Sequence, residues 1–183
     1  MYYEMIRVRN EEIGLVWDDD AGRARIRKIY LPVADKTLRK KIVVDFPDVA
    51  SRPKRMPGGI AKKIASRYLG RPVSFDVSAL DWSNLSVFAR KVLKKTYGIS
   101  RGRVMTYSGL AAAVGSPKAA RAVGTALANN PFPIVIPCHR VIRANGALGQ
   151  FGGGVSMKKT LLEREGVPAG SDGAVRQKDI LRR

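Results

Sequence analysis

Three kinds of residue are scarce in this 183-residue chain: it has one cysteine, one histidine, and 15 acids against 34 Lys and Arg. The single thiol, Cys138, excludes an internal disulfide. The single imidazole, His139, leaves too few ligands for structural zinc, which takes about four Cys or His. No apolar run approaches the ~20 residues of a membrane span, and the opening Met-Tyr-Tyr-Glu-Met is not the charged start of a signal peptide. The expectation is a cytoplasmic protein without membrane, metal or cofactor. Apolar residues are not scarce: 45% hydrophobic and 27% charged is the composition of a globular chain. A chain of this length buries roughly 70% of its unfolded surface, in one core or two small ones.

The shortage of acids is uneven. Residues 1–80 hold 17 basic and 10 acidic side chains, and the remainder 17 and 5, giving nets of +7 and +12. From Trp82 to Leu162 there is no Asp or Glu, while 12 Lys and Arg run from Arg90 to Lys159. Solvated faces of a generally basic protein would account for part of this. A stretch this long with no acid to neutralise it favours a phosphate-binding surface and a polyanionic partner.

Near the start, Ile13 to Trp17 and Ala24 to Tyr30 flank a turn signal, Asp18 to Gly22, which reads as a β-hairpin or meander. GGIAKKIASRYLG has helical spacing and a stop at Gly70, and Arg71-Pro72 leads into an extended VSFDV. From Ser83, the residues Leu85, Phe88, Ala89, Val92 and Leu93 form one apolar helical stripe, ending at Gly98. Thr106-Tyr107-Ser108 opens a short helix closed at Gly115. Ser116-Pro117 supplies a cap and first turn for another, about 117–128. The pair reads either as an ordinary αα-hairpin or as helix-turn-helix, and the acid-free background favours the second. Around Arg121 the second helix carries only small neighbours, among them Ala120, Ala122 and Gly124. Such a surface suits close approach to a groove better than reading base edges.

An apolar run, Ile134-Val135-Ile136, leads into Pro137-Cys138-His139-Arg140, followed by the glycine-rich ANGALGQFGGG. A last helix is expected from a Ser156 cap to Gly166, and 168–183 reads as a polar, weakly ordered tail. Cys138 could be a small buried hydrophobe. Against that stand its neighbour His139, the basic surroundings that would lower a thiol pKa, and the glycine-rich loop. In an extended segment adjacent side chains diverge, so Cys138 and His139 would need a turn or a bridging water. In the last helix Lys158, Leu161, Leu162 and Glu165 share one stripe. This places a carboxylate beside the core at a helix C-terminus, where the dipole disfavours it. Glu165 either orients His139, completing a carboxylate, imidazole and thiol relay, or tips outward to a lysine.

The run PKAARAVGTALANNPFPIVIPCHRVIRANGALGQFGGG with KKTLLEREG resembles the catalytic domain of the O6-alkylguanine-DNA alkyltransferases, or methylated-DNA-protein-cysteine methyltransferases, over about residues 85–167. The resemblance implies an α+β fold. Residues 1–80 would form a small ribonuclease-H-like α/β domain with a structural role. Residues 81–167 would form a mainly helical, winged helix-turn-helix-like domain that binds DNA and carries out the chemistry. It further implies a monomer acting on double-stranded DNA containing O6-alkylguanine, in one irreversible transfer of the alkyl group to Cys138. His139 would act as base through a water, Glu165 would orient it, Asn130 would brace the turn, and Tyr107 would assist the departing guanine at N3. Arg121 would fill the gap left by the flipped base, on a DNA surface shared with Thr106, Tyr107, Ser116, Ala120 and Ala122. Val141, Phe151, Gly152 and Lys158 would line the pocket, with the Cys138 and Val141 carbonyls accepting from the guanine amine. Where some relatives have tyrosine then serine, this chain has Phe151-Gly152, so a serine contact to O6 is replaced by the Gly152 N–H in a segment that admits bulkier alkyl groups. Two other readings are a non-catalytic alkyltransferase-like binder, disfavoured by Cys138, and a cysteine hydrolase, which would turn over.

Overall fold

The computed structural model describes residues 1–20, 22–33, 37–170 and 173–181. Strands β1 (Tyr2–Val8), β2 (Glu11–Asp20) and β3 (Arg23–Tyr30) form an antiparallel meander in that order. Of the expected hairpin or meander it is the meander, with β1 as the added strand. Both faces of the sheet are covered, which explains why β2 carries a continuous apolar run. Ile13, Leu15 and Trp17 enter the main core, while Val16 packs with Tyr3, Tyr30 and Ile42 beneath α1 (Leu38–Asp45). A Cβ on Gly14 would stand 2.8 Å from Ile42 Cδ1, so glycine lets α1 approach the sheet. α1 escaped the sequence reading because its apolar residues are divided: Leu38 and Ile42 face in, Val43 and Val44 face solvent.

Helix α2 (Ile60–Tyr68) ends where expected. Gly70 has φ +81°, and a Cβ there would collide with the Arg164 carbonyl. Residues 73–76 run on without pairing into a short 3-10 turn at Val77–Ala79, so VSFDV is not a strand. Helix α3 (Val87–Tyr97) starts at Ser86, whose side chain accepts from the Ala89 N–H at 3.1 Å, and ends at Gly98. Leu85 precedes it.

Strand β4 (Met105–Thr106) pairs in parallel with β5 (Val141–Ile142). Between them lie α4 (Tyr107–Ala113) and α5 (Ala120–Ala128), each packed on α3. Thr106 caps α4 by accepting from the Gly109 N–H at 2.9 Å. Ser116 does not cap α5: Ser116, Pro117 and Lys118 form a turn closed by Ala119 N–H to the Ser116 carbonyl, and the helix begins three residues later than expected. Helix α6 (Gly154–Arg164) likewise starts at a Gly153 cap rather than at Ser156. Gly153 and Gly154 allow the chain to turn three residues earlier.

The expected boundary at 80/81 does not separate two cores. The largest apolar cluster joins Trp17, Ile26 and Phe75 to Val92, Leu93 and Phe132. Leu80 bridges to Ile26, and the Ile29 N–H donates to the Pro131 carbonyl at 2.8 Å. The sheet edge thereby holds the segment that leads to Cys138. The reading of 168–183 as a weakly ordered tail needs correction for residues 173–181. Val104 bridges to Ile180, the Leu181 N–H donates to the Val104 carbonyl at 2.7 Å, and Val175 and Ile180 are buried with Val104, Ile142, Leu148, Leu162 and Val167. A few apolar residues in a polar stretch suffice to dock it. Among the described residues no helix is long and apolar enough to cross a membrane, and no group of three or more His, Cys, Asp or Glu could hold a metal ion.

Candidate active site

The segment before Cys138 is a turn, not an extended run. The Ile136 N–H donates to the Phe132 carbonyl at 2.8 Å, Pro133 bridges to Ile136, and Ile134 adopts φ +72°. A β-branched residue in the left-handed region costs on the order of 1–3 kcal/mol, and it persists here because residues 132–141 are all buried. Cys138–Arg140 then form a 3-10 turn. This removes the geometric objection to neighbouring Cys138 and His139 acting together, because side chains in a tight turn do not alternate as on a strand.

Asn130, just beyond α5, ties this turn together. Its Nδ2 donates to the Ile136 carbonyl at 3.1 Å and lies 3.3 Å from Cys138 Sγ, while its Oδ1 accepts from the Phe132 N–H at 3.0 Å. The thiol is buried, and burial pushes its pKa up; the Asn130 amide and the charge of Lys158 oppose this without reversing it. The expectation that basic surroundings would lower the thiol pKa is thus corrected. Desolvation outweighs the local positive charge, so a base is required.

His139 and Glu165 meet. His139 Nε2 stands 3.2 Å from Glu165 Oε1, with both side chains buried, so the carboxylate does not tip outward. Burial alone would raise the Glu165 pKa, but hydrogen bonds from His139 and Arg140 hold it at about 2. Burial pushes His139 the other way, below the usual imidazole range, and Glu165 only partly offsets it. A neutral ring beside an ionised carboxylate carries its proton on Nε2. That leaves Nδ1, buried and without a hydrogen-bond partner among the described residues, as a free lone pair.

Arg140 was missed by sequence reasoning. It grips Glu165 with two parallel bonds, Nε to Oε2 and Nη2 to Oε1, each 2.7 Å, and Nη1 donates to the Ile99 carbonyl at 2.5 Å. Its only signal was its place in a run of buried residues, easily read as one more solvated cation.

Lys158 is fully buried, donating to the Val141 carbonyl at 2.6 Å, and burial lowers its pKa to about 8 although Cys138 pulls it upward. The Val141 carbonyl therefore already has one donor, as does that of Cys138, which accepts from the Val141 N–H; each keeps a second lone pair. Tyr107, first residue of α4, is half-buried, with its hydroxyl pKa raised by burial and by Cys138. The Phe151 ring stands edge-on to His139 at 6.3 Å. Gly152 is exposed, and a Cβ there would meet only Leu31 Cδ1 at 3.9 Å, so a larger residue fits. Arg121 stands apart from this group on the exposed side of α5 with Ala122 and Thr125, beside the half-buried Ala120. Thr106 and Ser116 serve the local turns described above, and Thr106 Oγ1 also lies 3.1 Å from Ser108 Oγ.

The family model described as "6-O-methylguanine DNA methyltransferase, DNA binding domain" matches residues 87–167. A methylated-DNA-protein-cysteine methyltransferase of Methanothermobacter thermautotrophicus is 40% identical over 160 residues, 85% of this chain and 80% of the relative. The chain belongs to the methylated-DNA-protein-cysteine methyltransferase family. A family member from Rattus norvegicus is 53% identical over 85 residues, 45% of this chain and 41% of its own length. Among solved structures, Mycobacterium tuberculosis OGT in complex with DNA superposes with a TM-score of 0.72 at 30% identity, over 90% of this chain and 92% of that one. The O6-methylguanine-DNA methyltransferase of Pyrococcus kodakaraensis gives 0.67 at 31%, over 91% and 99%. The mixed α/β fold is therefore that of this family, sheet region included.

Proposed function

We propose that the protein repairs O6-alkylguanine in duplex DNA by moving the alkyl group to its own Cys138. The observation that carries this reading is the chain's one thiol in a buried turn beside a His139–Glu165 pair whose free lone pair is Nδ1. The Cys138 proton passes to His139 Nδ1, through a bridging water. The thiolate attacks the alkyl carbon, a C–S bond forms as the C–O6 bond breaks, and the electron pair leaves with guanine. Tyr107, kept protonated by its raised pKa, donates a hydrogen bond to N3 of the departing base, and the guanine takes up the proton that Cys138 released. The thioether has no route back to thiol, so each molecule acts once.

Glu165 fixes the His139 tautomer and stabilises the imidazolium, and Asn130 positions Sγ. Arg140 keeps Glu165 ionised. Lys158, Val141, Phe151 and the Gly152 N–H line the base pocket, with Lys158 also favouring the thiolate by charge. In this reading α4 and α5, with β4 and β5 beside them, act as a winged helix-turn-helix. Its surface of Thr106, Tyr107, Ser116, Ala120 and Ala122 enters the minor groove, and Arg121 occupies the space of the flipped base. The meander and its helices serve as a ribonuclease-H-like support, and the protein acts as a cytoplasmic monomer. To test this, the protein is incubated with an oligonucleotide containing O6-methylguanine and its peptides are weighed. A single methyl on the Cys138 peptide, lost in Cys138→Ala, is expected; tight binding without a mass change would overturn the proposal.

A further inference from the structure

Arg140 also borders an open cavity of about 470 Å³, walled with it by Arg67, Arg71, Ser74, Tyr97 and Arg101 among others. Its volume is within the range of small-molecule sites, about 300–1,000 Å³. No Asp or Glu lines it.

Arg67 is 7% exposed and forms no ion pair among the described residues. Its guanidinium lies against the rings of Phe75 and Tyr97, with centroids at 5.5 and 5.6 Å, which stabilise the charge but use none of its N–H groups in-plane. Those groups find little else: the Val73 carbonyl at 3.5 Å, the limit of a hydrogen bond, and the Tyr97 hydroxyl, itself committed to the Phe75 backbone. Arg101 is fixed over the cavity by Nε to the Gly70 carbonyl at 2.6 Å and Nη2 to the Arg164 carbonyl at 3.1 Å. Arg71 is exposed at the rim. Four arginines thus border one cavity, and the carboxylate that acts on Arg67, Glu165, is already gripped by Arg140. Desolvation and the like charge of Arg140 work against protonated Arg67, and Tyr97 and Glu165 offset them only in part.

We propose that this cavity is an oxyanion site for a phosphate group, held by the forked N–H groups of Arg67, Arg71 and Arg101. Planar guanidiniums match phosphate oxygens two at a time, and buried charge without a carboxylate is relieved by an anion of that valence. The alkyl transfer uses none of these three residues. Arg140 alone belongs both to the cavity wall and to the relay, so a bound phosphate would lie one guanidinium away from Glu165.

The test is a titration with inorganic phosphate at fixed ionic strength, balanced with chloride, followed by 31P line broadening and by thermal shift. Saturable binding is expected, weakened about tenfold or more in Arg71→Ser and lost in Arg67→Met. The charge-matched Lys40→Ser, on the exposed side of α1, should bind as the unaltered protein does. Because Arg67 is buried, Arg71→Ser decides the matter if Arg67→Met melts early in chloride. Unsaturable stabilisation, or equal weakening in Arg71→Ser and Lys40→Ser, would overturn the proposal in favour of a general surface effect. Adding undamaged duplex identifies the source of the phosphate: displacement assigns the site to the DNA backbone, and retention to a small phosphorylated molecule.

Discussion

The two halves of the molecule treat charge in opposite ways. Around the meander, ion pairs are exposed or only partly buried: Arg7 with Glu12, Lys28 with Asp45, and Arg27 with Asp18 and the more buried Asp81. The core beneath is apolar. In the second half the acids are few, yet one of them, Glu165, is buried with His139 and Arg140, and Lys158 is buried as well. Of the six buried polar or charged residues among those described, only Arg67 precedes residue 80. Burying charge is costly, and perturbed ionisable groups gathered next to a lone thiol set this region apart from the meander as the place for the proposed chemistry.

The contrast can be broken most sharply at Glu165. Glu165→Gln leaves the Arg140 charge buried without its partner, and should destabilise the protein by about 3–5 kcal/mol in denaturant unfolding. A loss below about 1 kcal/mol would mean that the network contributes little to folding. Arg121→Ala separates DNA handling from chemistry. It should leave stability within about 0.5 kcal/mol. Repair in duplex should slow by about tenfold or more, since the flipped state costs a few kcal/mol, while reaction with free O6-benzylguanine is unchanged. Equal losses on both substrates would place Arg121 in the fold instead.

Acid titration sharpens the comparison. Glu165 sits at about 2 when folded against 4.5 unfolded, so its contribution is complete above about pH 4.5 and is lost as pH falls toward 2. His139, also depressed, prefers to be neutral in the fold, so its protonation in the unfolded chain below about 6.5 works in the same direction. Stability should therefore fall from about pH 6.5 downward, and Glu165→Gln should flatten the lower part of that curve. The smallest effect belongs to the meander: Lys28→Ala removes a half-exposed pair with Asp45 and should cost under about 1 kcal/mol, decreasing further in salt.

Much of this was readable in the sequence because periodicity reports burial. The stripe Lys158, Leu161, Leu162 and Glu165 placed a carboxylate beside the core, and the structure puts it against His139. Helices α2 to α6 followed from spacing and glycine stops, although two starts moved where backbone turns rather than serine caps set the first residue. What stayed hidden depends on contacts distant in sequence. Arg140 finds Glu165 25 residues away, and Arg67 is buried by rings from two other segments. The turn at Ile134 was invisible because apolar, β-branched residues suggest a strand, and only tertiary packing holds one of them at positive φ. The docking of residues 173–181 rests on single apolar side chains that no periodicity reveals.

The most direct test of the account is stoichiometry. The protein is mixed with a large excess of duplex carrying radiolabelled O6-methylguanine, and methyl transfer is followed to completion. The account predicts a plateau at one methyl per molecule, all of it on Cys138. Continued release of repaired guanine beyond one equivalent would contradict it, showing that the Cys138, His139 and Glu165 set supports turnover.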